Sequence, residues 1–160
     1  MCALLYFAAL RGMPRAEAAR EATRWLERLG LANRAGERVR NLSKGNQQKV
    51  QFISSIVHRP ALVVLDEPFS GLDPLAVDAL ADVLAEKRNA GVPIIFSSHQ
   101  LELVERISDS VGIIREGRIV ATGPVAGVPA TQGRPLLRVH QKESLPRWPP
   151  HQPRRVVDGP

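Results

Sequence analysis

The chain has 160 residues, with 22 Lys and Arg against 16 Asp and Glu and a formal charge of +6. That length fits one domain with an appendage, and a single cysteine, Cys2, excludes an internal disulfide framework and a multi-cysteine metal site. No apolar run approaches the roughly 18 residues that span a bilayer; the lone cysteine points to a reducing compartment, and with no targeting segment read in the sequence the cytoplasm is expected.

Residues 1–10 are apolar or small, but nothing basic precedes them and Arg11-Gly12-Met13-Pro14-Arg15 follows, which predicts a buried helix rather than a signal-peptide core. Residues 14–29 predict a helix with Pro14 at its first position and Gly30 just past its end. Ala18, Ala22, Trp25, Leu26 and Leu29 make its apolar stripe, and Arg20, Arg24 and Arg28 a solvated face. Asn41 or Ser43 begins a second helix that buries Val50, Ile53, Ile56 and Val57 and stops before Pro60. The run 62–65 predicts a strand covered on both faces, ending in Asp66-Glu67-Pro68. A loop over 69–74 leads to a helix over 75–90, closed by Gly91. A second buried strand over 94–96 runs into Ser97-Ser98-His99, and a short helix spans 101–107. Strands over 111–114 and 118–121 flank Glu116-Gly117 as a hairpin. From Val128 the pattern dissolves: seven of the 13 prolines lie there, with one more strand expected over 136–139.

Charge follows the same division. Residues 1–40 carry net +4, residues 41–127 net −2 and residues 128–160 net +4. No Lys/Arg block of five occurs, so nucleic acid is not an expected partner.

The β–α–β order of 62–96 predicts a parallel pair, and ligands of such sheets sit at the carboxyl ends of the strands. Asp66, Glu67 and His99 all fall there. One carboxylate can hold Mg²⁺ and the other can orient a water toward a phosphate. Ser43-Lys44-Gly45-Asn46 opens a helix whose free N–H groups suit an anion. Each feature alone has an ordinary alternative: an acidic helix start, a capping histidine, a plain N-cap at Ser43, a turn at Gly71-Leu72-Asp73-Pro74.

Taken together, their order resembles that of ATP-binding-cassette (ABC) ATPases. Leu42-Ser43-Lys44-Gly45-Asn46-Gln47-Gln48-Lys49-Val50 resembles the signature motif, and Leu62 to Glu67 resembles the Walker B strand with its catalytic glutamate. Ser70-Gly71-Leu72-Asp73-Pro74 is similar to the D-loop, and Ser97-Ser98-His99, with its histidine 33 residues after Asp66, to the H-loop. The resemblance covers about residues 4–124. It implies that Asp66 holds Mg²⁺ through water, Glu67 polarises the attacking water and His99 bonds the γ-phosphate of ATP. It further implies that Ser43, Gly45 and Asn46 meet the nucleotide of a second ATPase subunit in a head-to-tail dimer, and that Asp73 couples the two sites.

Two departures accompany it. Lys44 and Asn46 replace the first Gly and the Gln of the common Leu-Ser-Gly-Gly-Gln, a variant similar to that of bacterial exporter-type ATPases. No Gly-x-x-x-x-Gly-Lys-Ser/Thr (Walker A) occurs among the 160 residues, and that motif supplies the phosphate cradle.

The expected fold is therefore α/β, a partial P-loop NTPase of the ABC ATPase type. It has a parallel sheet core with flanking helices, part of the helical subdomain and a C-terminal hairpin. Residues 1–58 are expected to form the signature part, 59–127 the C-terminal half of the ATPase core, and 128–160 a Pro/Arg-rich tail or truncated accessory domain. An incomplete sheet would leave an exposed edge. The function expected is ATP binding and hydrolysis coupled to transport, by a protein peripheral on the inner face of the cell membrane and partnered by transmembrane permease subunits. The alternative is a non-catalytic remnant or interaction module docking on an intact ABC ATPase. A general metal-dependent hydrolase using Asp66, Glu67 and His99 leaves the signature and D-loop matches unexplained.

Overall fold

The computed structural model describes residues 1–125 and the backbone of 136–139. Helix α1 (Cys2–Leu10) turns at Gly12 into α2 (Arg15–Arg28). Pro14 stands one place earlier than predicted, as the N-cap of α2. Gly30, at φ +71°, takes the left-handed conformation that lets the chain leave α2. Two short 3-10 turns, Ala32–Arg34 and Val39–Asn41, lead to Ser43, the N-cap of α3 (Lys44–Ile56). Then follow β1 (Val63–Leu65), α4 (Pro74–Asn89), β2 (Ile94–Ser98), α5 (Leu101–Ile107), β3 (Ser110–Arg115), β4 (Arg118–Pro124) and β5 (Leu136–Val139). β5 falls on the strand expected over 136–139; the rest of the expected tail lies outside the described residues.

The fold is α/β. The sheet has the order β1-β2-β5-β3-β4. β1 and β2 are parallel, in a register that pairs Leu65 with Phe96, and α4 is the crossover between them. β5 runs antiparallel to both β2 and β3, and β3 and β4 form the predicted hairpin. β1, three residues long, is one edge of this sheet.

Among the described residues an apolar cluster runs from Leu4 and Ala8 of α1, through Trp25, Phe52, Ile53 and Ile56, to Val63, Leu80, Ile94, Phe96 and Val104. It continues across both the 1–58 and 59–127 segments. Each large side chain buried in it contributes about 1.5–3 kcal/mol relative to exposure.

Three expectations change. β1 is not covered on both faces: Val63 and Leu65 point into the cluster, where α3 packs, while Val64 is 63% exposed. Period-2 alternation puts Val64 on the side that no described element covers. α1 buries only Leu4 and Ala8, and Tyr6, Phe7 and Leu10 face solvent, because its neighbours α2 and α3 lie on one side. Finally, Arg24 and Arg28 are not simply solvated. Their guanidinium groups lie 5.1 and 5.4 Å from the Trp25 ring centroid, and both pair with Glu86 of α4. The hydrogen bond from Arg28 holds the Glu86 carboxyl below its usual range, against a smaller opposing effect of burial. A surface stripe thus tethers α2 to α4.

Candidate functional site

The parallel register that pairs Leu65 with Phe96 sets Asp66, leaving β1, beside Ser97 near the end of β2. The Ser97 hydroxyl donates to Asp66 Oδ1 at 2.5 Å and accepts from the Glu67 backbone N–H at 2.9 Å. One hydroxyl therefore bridges both acidic residues.

Glu67 has φ +45°. Left-handed backbone costs a residue with a Cβ about 1–2 kcal/mol. Pro68 disfavours the right-handed helical region for Glu67 but by itself favours extended backbone, so the left-handed turn is held by other contacts. The Glu67 carbonyl accepts from Ser70 N at 3.1 Å and from Gln48 Nε2 at 3.0 Å. In this conformation both Glu67 carboxylate oxygens stand 3.0 Å from His99 Nδ1. The Glu67 side chain is 34% exposed and that of His99 63%, so both are open to an incoming group. Beside His99 lies a cleft of ≈ 880 Å³ between the 69–74 loop and α5, lined by Phe69, Leu72, Val77 and Leu101 among others.

Ser43 and Asp73 each act as helix N-caps here. Ser43 Oγ accepts from Asn46 N at 3.4 Å, and Asp73 Oδ1 from Ala76 N at 2.9 Å. Gly45 sits in a tight place: a Cβ there would lie 3.0 Å from the Gly71 carbonyl oxygen, so that neighbour would have to give way. The Lys44 stem lies 3.7 Å from where a Cβ on Gly71 would stand. The start of α3 and the loop before α4 are thus packed against each other.

Of the three residues expected together, Glu67 and His99 are in contact, and Asp66 joins Glu67 through the Ser97 hydroxyl. Gly45 and Asn46 lie in the first turn of α3, which Ser43 caps, and Asp73 caps the neighbouring helix. Sequence reasoning missed Gln48 and gave Ser97 no role of its own. Ser97 was in reach, since aligning the ends of two parallel strands sets 97 beside 66. Gln48 carried no signal, because nothing in the sequence says which residue of a loop a glutamine will meet.

Among the described residues no group of three or more His, Cys, Asp or Glu side chains can hold a metal ion. Asp66 does offer a hard oxygen donor. Mg²⁺ is commonly bound by one or two carboxylates together with substrate phosphates and water. The residues present fit Mg²⁺ arriving with a phosphate, not a metal caged by protein alone.

The family model described as "AAA domain, putative AbiEii toxin, Type IV TA system" matches residues 17–105. The chain is 42% identical over 142 residues to the uncharacterized ABC transporter ATP-binding protein YhaQ of Bacillus subtilis (strain 168), covering 89% of this chain and 48% of that protein. It is 45% identical over 125 residues to the uncharacterized ABC transporter ATP-binding protein MJ1023 of Methanocaldococcus jannaschii, covering 78% of this chain and 48% of that one. A solved structure of an ATP-binding subunit of an ABC transporter superposes with TM-score 0.69 at 35% identity, covering 76% of this chain and 52% of that chain. The chain spans about half the length of the curated relatives it matches.

Proposed function

Since the chain belongs to the family of ABC transporter ATP-binding proteins, we propose that it supplies the hydrolytic and cross-subunit surfaces of an ATPase that drives transport across a membrane. The observation that carries this reading is the meeting of Asp66, Glu67, Ser97 and His99 at adjacent tips of two parallel strands. Glu67 acts as the group that orients and polarises the attacking water. Asp66 would hold Mg²⁺, which when bound would neutralise charge on the phosphates. His99 bonds the γ-phosphate. If Nδ1–H donates to an ionised Glu67, a neutral ring leaves Nε2 as an acceptor. Donation to phosphate then requires the doubly protonated ring, or release of Glu67.

Ser43, the Gly45 N–H and Asn46 meet the nucleotide bound by a second ATPase subunit, where the α3 N-terminus favours negative charge. Asp73 links the two sites across that head-to-tail interface. No described helix is long and apolar enough to cross a membrane. In this reading the protein sits on the inner face of the cell membrane through permease subunits, and the Lys44/Asn46 variant leans toward export. A second reading is a non-catalytic module that docks on an intact ABC ATPase.

The test is a fusion of the whole chain to an N-terminal segment that carries Gly-x-x-x-x-Gly-Lys-Ser/Thr. ATP hydrolysis and nucleotide-dependent dimerisation are expected, and Glu67→Gln should abolish turnover while keeping ATP binding. Turnover undiminished by Glu67→Gln removes Glu67 from its role. A fusion that binds a partner ATPase without hydrolysing ATP favours the second reading.

A further inference from the structure

The left-handed backbone of Glu67 is gripped from two sides by side chains outside the acidic pair. Ser97 Oγ takes the Glu67 N–H, and Gln48 Nε2 gives to the Glu67 carbonyl. The third bond to this residue's backbone, from Ser70 N, belongs to the loop itself and moves with it. Gln48 and Ser97 stand instead on elements fixed by the core: Phe52, one turn beyond Gln48 in α3, is 2% exposed, and Phe96, next to Ser97 in β2, is 3% exposed.

We propose that Gln48 and Ser97 are positioning residues that together clamp the Glu67 backbone and so fix where its carboxylate stands. The proposal rests on the reading of Glu67 as the water-orienting residue. Its physical content is that the left-handed turn is disfavoured locally and persists because external donors and acceptors satisfy it. Without Gln48 the carbonyl keeps only the loop's own bond, and without Ser97 the N–H loses its acceptor and Asp66 its donor. Gln48 lies one turn past Gly45, where an added Cβ would come within 3.0 Å of the Gly71 carbonyl oxygen. A shift of the α3 N-terminus, the part proposed to meet a phosphate, therefore reaches the Glu67 peptide through one hydrogen bond.

Two measurements decide it. In the 160-residue chain, NMR exchange should show the Gln48 side-chain amide protected relative to the exposed Gln51. The Glu67 backbone amide should be protected as well, with protection lost in Ser97→Ala and kept in Ser97→Thr, which retains the hydroxyl. A Gln48 amide exchanging like that of Gln51, or a Glu67 amide indifferent to Ser97→Ala, overturns the clamp. In the fusion, Gln48→Glu and Ser97→Ala should lower kcat by about ten- to a hundredfold, the scale of a misplaced catalytic group. The KM for ATP should be unchanged, and Ser97→Thr should restore the rate. If Glu67→Gln abolishes turnover but Gln48→Glu and Ser97→Ala leave kcat intact, the clamp is wrong and the reading of Glu67 stands. If Glu67→Gln leaves turnover intact, that reading falls, and the exchange measurement still judges the clamp.

Discussion

Phe69 follows the acidic pair by one residue beyond Pro68, and its side chain ties the site to the core. It is 2% exposed and meets Phe96 edge-on, with ring centroids 5.8 Å apart and planes at 79°. Phe69→Ala removes a fully buried ring, at a cost of about 3–5 kcal/mol. Of this, about 0.5–1.5 kcal/mol belongs to the aromatic pair beyond simple burial. Domains of this kind are stable by only about 5–15 kcal/mol, so the loss is a large share of the total. Urea denaturation followed by circular dichroism reads it as a lower midpoint at constant slope. A double-mutant cycle with Phe96→Leu isolates the pair term. A loss below about 1 kcal/mol, the ordinary size of any substitution, would refute the view that this ring anchors the loop.

Isothermal calorimetry on the 160-residue chain should find ATP binding weaker than micromolar, since no phosphate-cradling glycine loop is present; a micromolar dissociation constant would mean that other groups provide the grip. Gly45→Ala should destabilise by roughly 1 kcal/mol, because the clash with the Gly71 carbonyl at 3.0 Å outweighs the helix preference for Ala; a raised urea midpoint would show that the backbone yields freely. Burial pushes the Glu21 carboxyl up, but the hydrogen bond and charge of Arg59 outweigh it and hold the group below its ordinary 4.5. The sign follows by linkage: the stabilisation is complete above the ordinary value and lost as pH falls through and below it. Glu21→Gln should flatten that acid limb of a melting-temperature profile, and an unchanged profile would contradict the assignment.

The elements were legible because their signals are local. Gly30 closes α2, Ser43 and Asp73 cap α3 and α4, and the run before Asp66 forms β1. The meeting of Asp66, Glu67 and His99 was legible for a related reason, since residues leaving parallel neighbours at their carboxyl ends converge. What lay beyond the sequence was set by partners far along the chain. Whether Val64 and Tyr6 are covered depends on which elements pack on which face, and an apolar residue carries no record of that. Arg24 and Arg28 read as solvent-facing because their acceptor, Glu86, is some sixty positions away. The Gln48 contact with Glu67 crosses two separate elements and has no periodicity to betray it.

The positive φ at Glu67 divides substitutions at that position by shape before chemistry enters. Val, Ile and Thr, branched at Cβ, are the most strained there by steric crowding, whereas Asn, Asp and Gly fit such backbone more readily. An Asp variant at position 67 could therefore keep the loop while withdrawing its charge by one methylene, and a Val variant would lose loop and charge together. Saturation mutagenesis at this codon would then separate into two tiers, one failing to accumulate and one accumulating but idle, with the boundary drawn by branching rather than by acidity.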